Sequence, residues 1–293
     1  MRWDDFRRSD NVEDRRGMGG IPGGAGGLGI GTVLVLGLVG WALGIDPRLL
    51  ISGAEILSGS GQQQTQQTGR SGAPKDQTGD FVAAIAGDTE DRWRVIFQNA
   101  GQSYTPPQVV IFDGVTSSGC GTAQSAMGPF YCPLDRKIYL DTSFFRDLET
   151  RFQGCQGKAC RFSQAYVISH EVGHHVQNLL GILPKAQQAQ RQVGDQAEAN
   201  QIQVRIELQA DCFAGVWANQ AQQKWNFIEP GDVEAAMQTA SAIGDDRLQK
   251  RSQGRVVPDA FTHGSSAQRA RWFKAGLRDG KVSSCDTFKA AQL

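Results

Sequence analysis

Three of the four histidines in the chain fall in one short run, His170-Glu171-Val172-Gly173-His174-His175, and the fourth is His263. Residues i and i+4 of an α-helix share a face one turn apart. His170 and His174 can therefore both turn an imidazole nitrogen toward a single ion, at the zinc–nitrogen distance of about 2.0–2.1 Å. Glu171 projects from the adjacent face. A carboxylate there can take a proton from zinc-bound water and later deliver it to a leaving amine. This is the H-E-x-x-H pattern of zinc hydrolases. His175 lies about 100° round the helix from His174, off the face the pair shares, and reads as a packed, hydrogen-bonded histidine rather than a ligand.

A catalytic zinc has three protein ligands and one open position. The stretch Glu207-Leu208-Gln209-Ala210-Asp211 offers two carboxylates at i and i+4. Around them stand Ile202, Ile206, Phe213 and Trp217, too apolar a setting for a solvated acidic pair. Buried carboxylates need partners. Glu207 is assigned as the third ligand of one Zn²⁺. Asp211 is assigned to accept a hydrogen bond from the second ring nitrogen of a ligand histidine, the usual outer support of such sites.

These residues require helices to present them. Ala165, Ile168, Val172, Val176 and Leu179 form an apolar stripe opposite His170 and His174. Ser163 can cap that helix, Gly181 can end it, and Pro184 lies just beyond. A glutamine-rich connection then leads to a second strong helix over 200–220. Further helices are expected over 80–101, with Asp88 or Thr89 as an internal cap, over 232–244, with Asp232 as cap and Gly244 as stop, and over 265–277, opened by a Ser265…Gln268 capping box. β-Branched residues at 106–114 make a short strand, and 128–145 two more around Pro133-Leu134-Asp135. The pattern is α+β, mostly α, with a small β-sheet.

The start of the chain differs in kind. Residues 1–27 are charged and glycine-rich. Residues 28–45 carry no charge and approach the ~20 residues a membrane helix needs. Trp41 suits an interfacial anchor, and five arginines precede the span while only Arg48 closely follows it. The expectation is a single transmembrane helix with the N-terminus cytoplasmic and the rest of the chain extracytoplasmic. Residues 46–79 read as a flexible linker, and 80–293 as the folded domain. Outside the cytoplasm the six cysteines are expected in disulfides. The local pairs are Cys120–Cys132 and Cys155–Cys160, which leaves Cys212–Cys285, although sequence alone does not choose among the connectivities. Basic and acidic residues balance to zero net charge, so no bulk field recruits nucleic acid.

Over nearly its whole length the chain resembles the neutral zinc metallopeptidase family of membrane-anchored bacterial proteins, through its arginine-bearing start, the apolar span, "SHEVGHHVQ", "ELQADCFAG" and "HGSSAQRARWFKAG". Over the motifs alone it is similar to the prenyl-protein and heat-shock membrane endopeptidases. The resemblance implies a zincin-like metallopeptidase fold and hydrolysis of peptide bonds in a protein or peptide substrate. It implies that Glu207, in E-x-x-x-D with Asp211, binds zinc. It also implies that His263 and Arg269, six residues apart, act beside the metal as catalytic groups, although Gly264 replaces the proline of those relatives. Substrate backbone is expected to add to an edge strand near 120–140. Two other readings stand beside this one. One is a non-catalytic extracytoplasmic scaffold or assembly factor stabilised by zinc, with Asp211 or His175 closing the site as a fourth ligand. The other is a zinc hydrolase acting on something other than a peptide.

Overall fold

The computed structural model describes residues 1–17, 70–71, 74, 76–124, 128–150 and 154–293. The expected span at 28–45 and most of the expected linker lie outside the described residues. In chain order the elements are β1 (Val12–Asp14), β2 (Arg70–Ser71), α1 (Gln77–Asn99), β3 (Gln108–Phe112), β4 (Val115–Ser118), β5 (Gly121–Gln124), β6 (Phe130–Cys132) and β7 (Lys137–Asp141). They continue as α2 (Ser143–Thr150), α3 (Cys160–Leu179), α4 (Ile182–Gln192), α5 (Gln196–Trp225), α6 (Asp232–Ala242), α7 (Asp245–Gln253) and α8 (Ser266–Asp279). The fold is α+β and mostly helical, as read from the sequence.

One sheet runs β2-β1-β3-β7-β6, and β4-β5 form a separate hairpin. The centre of the sheet is parallel, β1 to β3 and β3 to β7, with antiparallel pairs at both ends. Val109, Val110, Ile111 and Phe112 of β3 are all buried. Both faces of that strand are covered, which suits its unbroken apolar sequence.

The helices bury a common core, and two crossings bring the chemistry together. At the α5–α8 crossing a Cβ on Gly276 would lie 1.9 Å from the Cys212 carbonyl oxygen, and one on Gly215 2.2 Å from that of Phe273. At the α3–α5 crossing a Cβ on Gly173 would sit 3.0 Å from the Ala210 oxygen. Glycine at these positions lets the backbones approach where larger residues would hold them apart.

Several boundaries differ from the sequence reading. Helix α1 is capped by Asp76, whose carboxylate accepts from the Gly79 N–H at 2.6 Å. Asp88 is mid-helix and takes the indole N–H groups of Trp217 and Trp225 at 2.9 and 2.8 Å. Helix α3 begins at Cys160, so Ser163 is an interior, buried residue rather than the cap. The glutamine-rich connection is itself helix α4. Gly231 precedes α6 at the cap position, and Gly244 opens α7 instead of closing α6. The Ser265–Gln268 capping box on α8 is formed. The disulfides are Cys120–Cys132, Cys155–Cys160 and Cys212–Cys285.

The largest correction concerns residues 1–17, expected to lie apart from a domain starting at Asp80. They belong to the same folded unit as Gly69–Leu293. Strand β1 sits inside the sheet, between β2 and β3. Phe6 packs against Trp225 and Phe227, and the Met1 ammonium meets Asp232 at 2.9 Å. Charges hold the rest. Arg7 pairs with Glu90 at 2.7 Å and Arg8 with Asp80 at 2.7 Å, and Arg16 reaches Asp76 at 2.6 Å. Gly87 lets the Arg7 carbonyl onto α1, where a Cβ would lie 2.1 Å from it. The arginines that looked like a topological signal are the arm's bonds to the domain. A chain crossing a bilayer once between residues 17 and 70 would set them on opposite sides of ~30 Å of hydrocarbon, yet Asp14 is the register partner of Arg70. Among the described residues no helix is long and apolar enough to cross a membrane.

Candidate metal centre

Helices α3 and α5 bring His170, His174 and Glu207 together. One ligand atom from each lies within 4.8 Å of the others. Glu207 Oε2 is 3.3 Å from His170 Nε2 and 3.6 Å from His174 Nε2. The second polar atom of every member is already engaged. His170 Nδ1 donates to Asp211 Oδ1 at 2.8 Å, and His174 Nδ1 to Gln177 Oε1 at 2.9 Å. Glu207 Oε1 accepts from Gln203 Nε2 at 2.9 Å. The two remaining ring nitrogens and one carboxylate oxygen therefore converge with their outer faces fixed. That donor set fits a catalytic zinc of the two-histidine, one-glutamate kind.

The two histidines have unlike supports. Asp211 is fully buried and also accepts from Arg269 Nε and Nη2, both at 2.9 Å, and from the Tyr166 hydroxyl at 2.5 Å. Burial pushes its carboxyl upward, but Arg269 and His170 outweigh that and hold it down at about 2. Gln177 offers His174 a neutral amide. Its nitrogen donates to the Ile206 carbonyl at 2.7 Å and to Gln209 at 3.1 Å, which turns its oxygen to the histidine.

Glu171 is buried and lines the same cleft as the three ligands. Burial raises its carboxyl above the ordinary range, against the pull of His170 and His174. A carboxylate so raised is a better proton acceptor.

His263 also lines the cleft. Its Nδ1 lies 3.2 Å from Asp245 Oδ1, and Asp245 Oδ2 accepts the backbone N–H groups of Thr262, His263 and Gly264. Burial alone would raise Asp245, but the bonds from His263 and the backbone bring it below its usual value. His263 is raised in turn, Asp245 overcoming the opposing effect of burial. The ring is held by one nitrogen, which leaves Nε2 for the cleft. Arg269, expected as its catalytic companion, lines the same cleft, with its guanidinium turned to Asp211. Its guanidinium is engaged with Asp211 and, at 3.3 Å, with the Tyr166 hydroxyl, so it positions Asp211 and through it His170. His175 faces away from the centre. Its Nε2 is 2.7 Å from the Thr105 carbonyl and its Nδ1 3.1 Å from the Tyr131 hydroxyl.

The cleft has a volume of about 730 Å³, with Phe130, Phe144, Leu183, Ile206 and Leu248 among its apolar lining. It is large enough for several residues of an extended chain. Sequence reasoning missed Tyr166, Gln177, Gln203 and Asp245. Three carried a usable signal, since Tyr166 and Gln203 each lie four residues before a ligand and Gln177 three after one, all on ligand-bearing helix faces. Asp245, on another helix, carried none.

The family model described as "Putative neutral zinc metallopeptidase" matches residues 1–288, and the chain belongs to that family. The match includes the N-terminal arm. The protein named "Uncharacterized protein YpfJ" of Escherichia coli (strain K12) is 48% identical over 299 aligned positions, covering 98% of this chain and 99% of that one. "Uncharacterized protein Rv2575" of Mycobacterium tuberculosis (strain ATCC 25618 / H37Rv) is 43% identical over 221 positions, covering 72% and 71%. No solved structure matches the chain.

Proposed function

We propose that this member of the neutral zinc metallopeptidase family is an endopeptidase that hydrolyses peptide bonds in extended polypeptide, outside the cytoplasm. One observation carries the reading: His170, His174 and Glu207 converge beside a cleft that also holds Glu171 and His263. A structural zinc is normally closed by a fourth protein ligand. The two candidates for that place in a scaffold, Asp211 and His175, are both engaged elsewhere, which favours the enzyme.

A bound zinc ion supplies Lewis acidity, polarising a carbonyl oxygen and acidifying water. The chain does the rest. Glu171 accepts the proton of the attacking water and returns it to the amine nitrogen as the C–N bond breaks. His263, held by Asp245, donates a hydrogen bond to the carbonyl oxygen as it gains negative charge. Asp211, Gln177 and Gln203 keep the ligand atoms oriented, with Arg269 and Tyr166 behind Asp211. Strand β6 ends the sheet as described, beside the cleft, and can take a substrate strand on its outer edge. The three disulfides support an oxidising compartment. Membrane attachment is assigned to residues 28–45 on their uncharged, apolar sequence.

Glu171→Gln is the test, with metal analysis alongside. The variant is expected to keep its fold and one zinc while cleavage of an unstructured protein falls by about 10²–10⁴-fold, the scale of a lost general base. Equal rates in both proteins would remove Glu171 from the mechanism. Zinc-loaded wild type that cleaves no member of a peptide library would favour the scaffold.

A further inference from the structure

His175 follows a metal ligand directly, yet both of its nitrogens turn to other partners. We propose that His175 is a positioning residue that ties the ligand helix α3 to the edge strand β6, and so sets the gap between metal ligands and the strand along which substrate lies. The proposal rests on the peptidase reading for its consequence in catalysis, but not for the tie itself.

The direction of each hydrogen bond can be assigned. The Thr105 carbonyl can only accept, so His175 Nε2 carries the proton in the 2.7 Å bond. Nδ1 is then an acceptor and takes the Tyr131 hydroxyl hydrogen at 3.1 Å. The Tyr131 oxygen accepts in turn from Asn178 Nδ2 at 2.9 Å. His175 and Asn178 lie three apart on α3, one face gripping one hydroxyl. The imidazole also meets the Tyr131 ring edge-on at 5.4 Å and the Tyr104 ring at 5.9 Å.

Strand β6 needs such a tie. It is three residues long and, among the described residues, paired in the sheet to β7 alone. Its last residue is fastened by the Cys132–Cys120 disulfide. Phe130 stacks on Tyr139 at 5.1 Å, while the next residue, Tyr131, turns to the opposite face of the strand and reaches α3. Phe130 and Tyr131 both line the cleft. The Tyr131 hydroxyl thus links the strand beside the cleft to the helix that carries His170 and His174.

Tyr131→Phe deletes only the hydroxyl, and His175→Ala cuts the same link from the helix side. In zinc-loaded protein, backbone hydrogen exchange over residues 130–132 is expected to quicken in both variants while α3 stays protected and zinc content is unchanged. For a long extended peptide KM is expected to rise roughly fivefold in Tyr131→Phe, the scale of one hydrogen bond, with kcat nearly constant. A dipeptide-length substrate, too short to reach β6, is expected to lose less than the long peptide in both variants. The double variant should match the more severe single one, because both cut one link. Unchanged exchange at 130–132 in Tyr131→Phe would overturn the proposal. So would equal losses on long and short substrates with release of zinc, which would make His175 only a packing residue of α3. Exchange is read without catalysis, so an inactive wild type would count against the peptidase reading and leave the tie to be judged by exchange.

Discussion

Asp211 touches no part of the cleft's reacting region, but one ligand depends on it. Its carboxylate accepts from His170, from two nitrogens of Arg269 and from Tyr166, all inside the protein. Asp211→Asn keeps the shape and removes the charge, leaving the Arg269 guanidinium buried without its counterion. Breaking a buried pair from one side costs about 3–5 kcal/mol, and loss of a carboxylate behind a ligand histidine lowers metal affinity by about 10–100-fold. Denaturant unfolding and zinc titration should show both. Adding Arg269→Met should recover much of the stability and none of the affinity. The acid side has a definite sign. The native carboxyl of Asp211 is held down at about 2, below its ordinary value of 3.8. Its contribution is present above the unfolded value and is lost as pH falls through the native one. The Asn variant should lack that part of the acid dependence. At this scale the sequence was readable wherever a charged or metal-binding type recurred at helical spacing, as in His170, His174, Glu207 and Asp211. Gln177, Gln203 and Tyr166 stand at the same helical spacing from the ligands but were passed over, because amides and hydroxyls are common on helices and become supports only when two helices meet.

That meeting is a matter of elements, and glycines permit it. Helices α5 and α8 touch backbone to backbone at Gly215 and Gly276. Only this close approach lets Arg269 of α8 reach Asp211 of α5. Gly276→Ala would put a methyl where the Cys212 oxygen now lies, so the helices must separate. Overpacking of this kind costs about 1–3 kcal/mol. Unlike a remote core defect, it should also weaken zinc binding, because it lengthens the Arg269–Asp211 link. A lowered urea midpoint together with weaker zinc affinity is the expected pair of results, and a lowered midpoint with native affinity would uncouple the crossing from the site. The long helices were legible from their apolar periodicity. Helix α4 was not, since Leu183 and Ala186 are its only buried residues and its glutamines resemble a loop. The start of α3 was also misread, because Ser163 looks like a cap in sequence while lying within the buried helix.

For the molecule as a whole, the N-terminal arm decides where the domain can work. The arm escaped the sequence reading because its strand is three residues long and its arginines match a membrane-orientation pattern equally well. In the fold Arg7, Arg8 and Arg16 face Glu90, Asp80 and Asp76, so three of the five charges are met by the domain that follows. Docked in this way, arm and domain are expected to share one side of any membrane the chain meets. This can be read by labelling. All cysteines among the described residues are in disulfides, so Asp10→Cys on the arm and Ser252→Cys on α7, both exposed positions, each supply one reactive thiol. Spheroplasts treated with a membrane-impermeant maleimide should label the two variants to the same extent, and from the outside if the disulfides report an oxidising compartment. One variant labelling only after lysis, in protein that keeps its zinc, would place arm and domain on opposite sides and show that β1 is not docked in the cell. The positive-inside tendency opposes moving five arginines outward. The side from which both thiols label therefore shows whether that tendency or the oxidising compartment supported by the disulfides prevails.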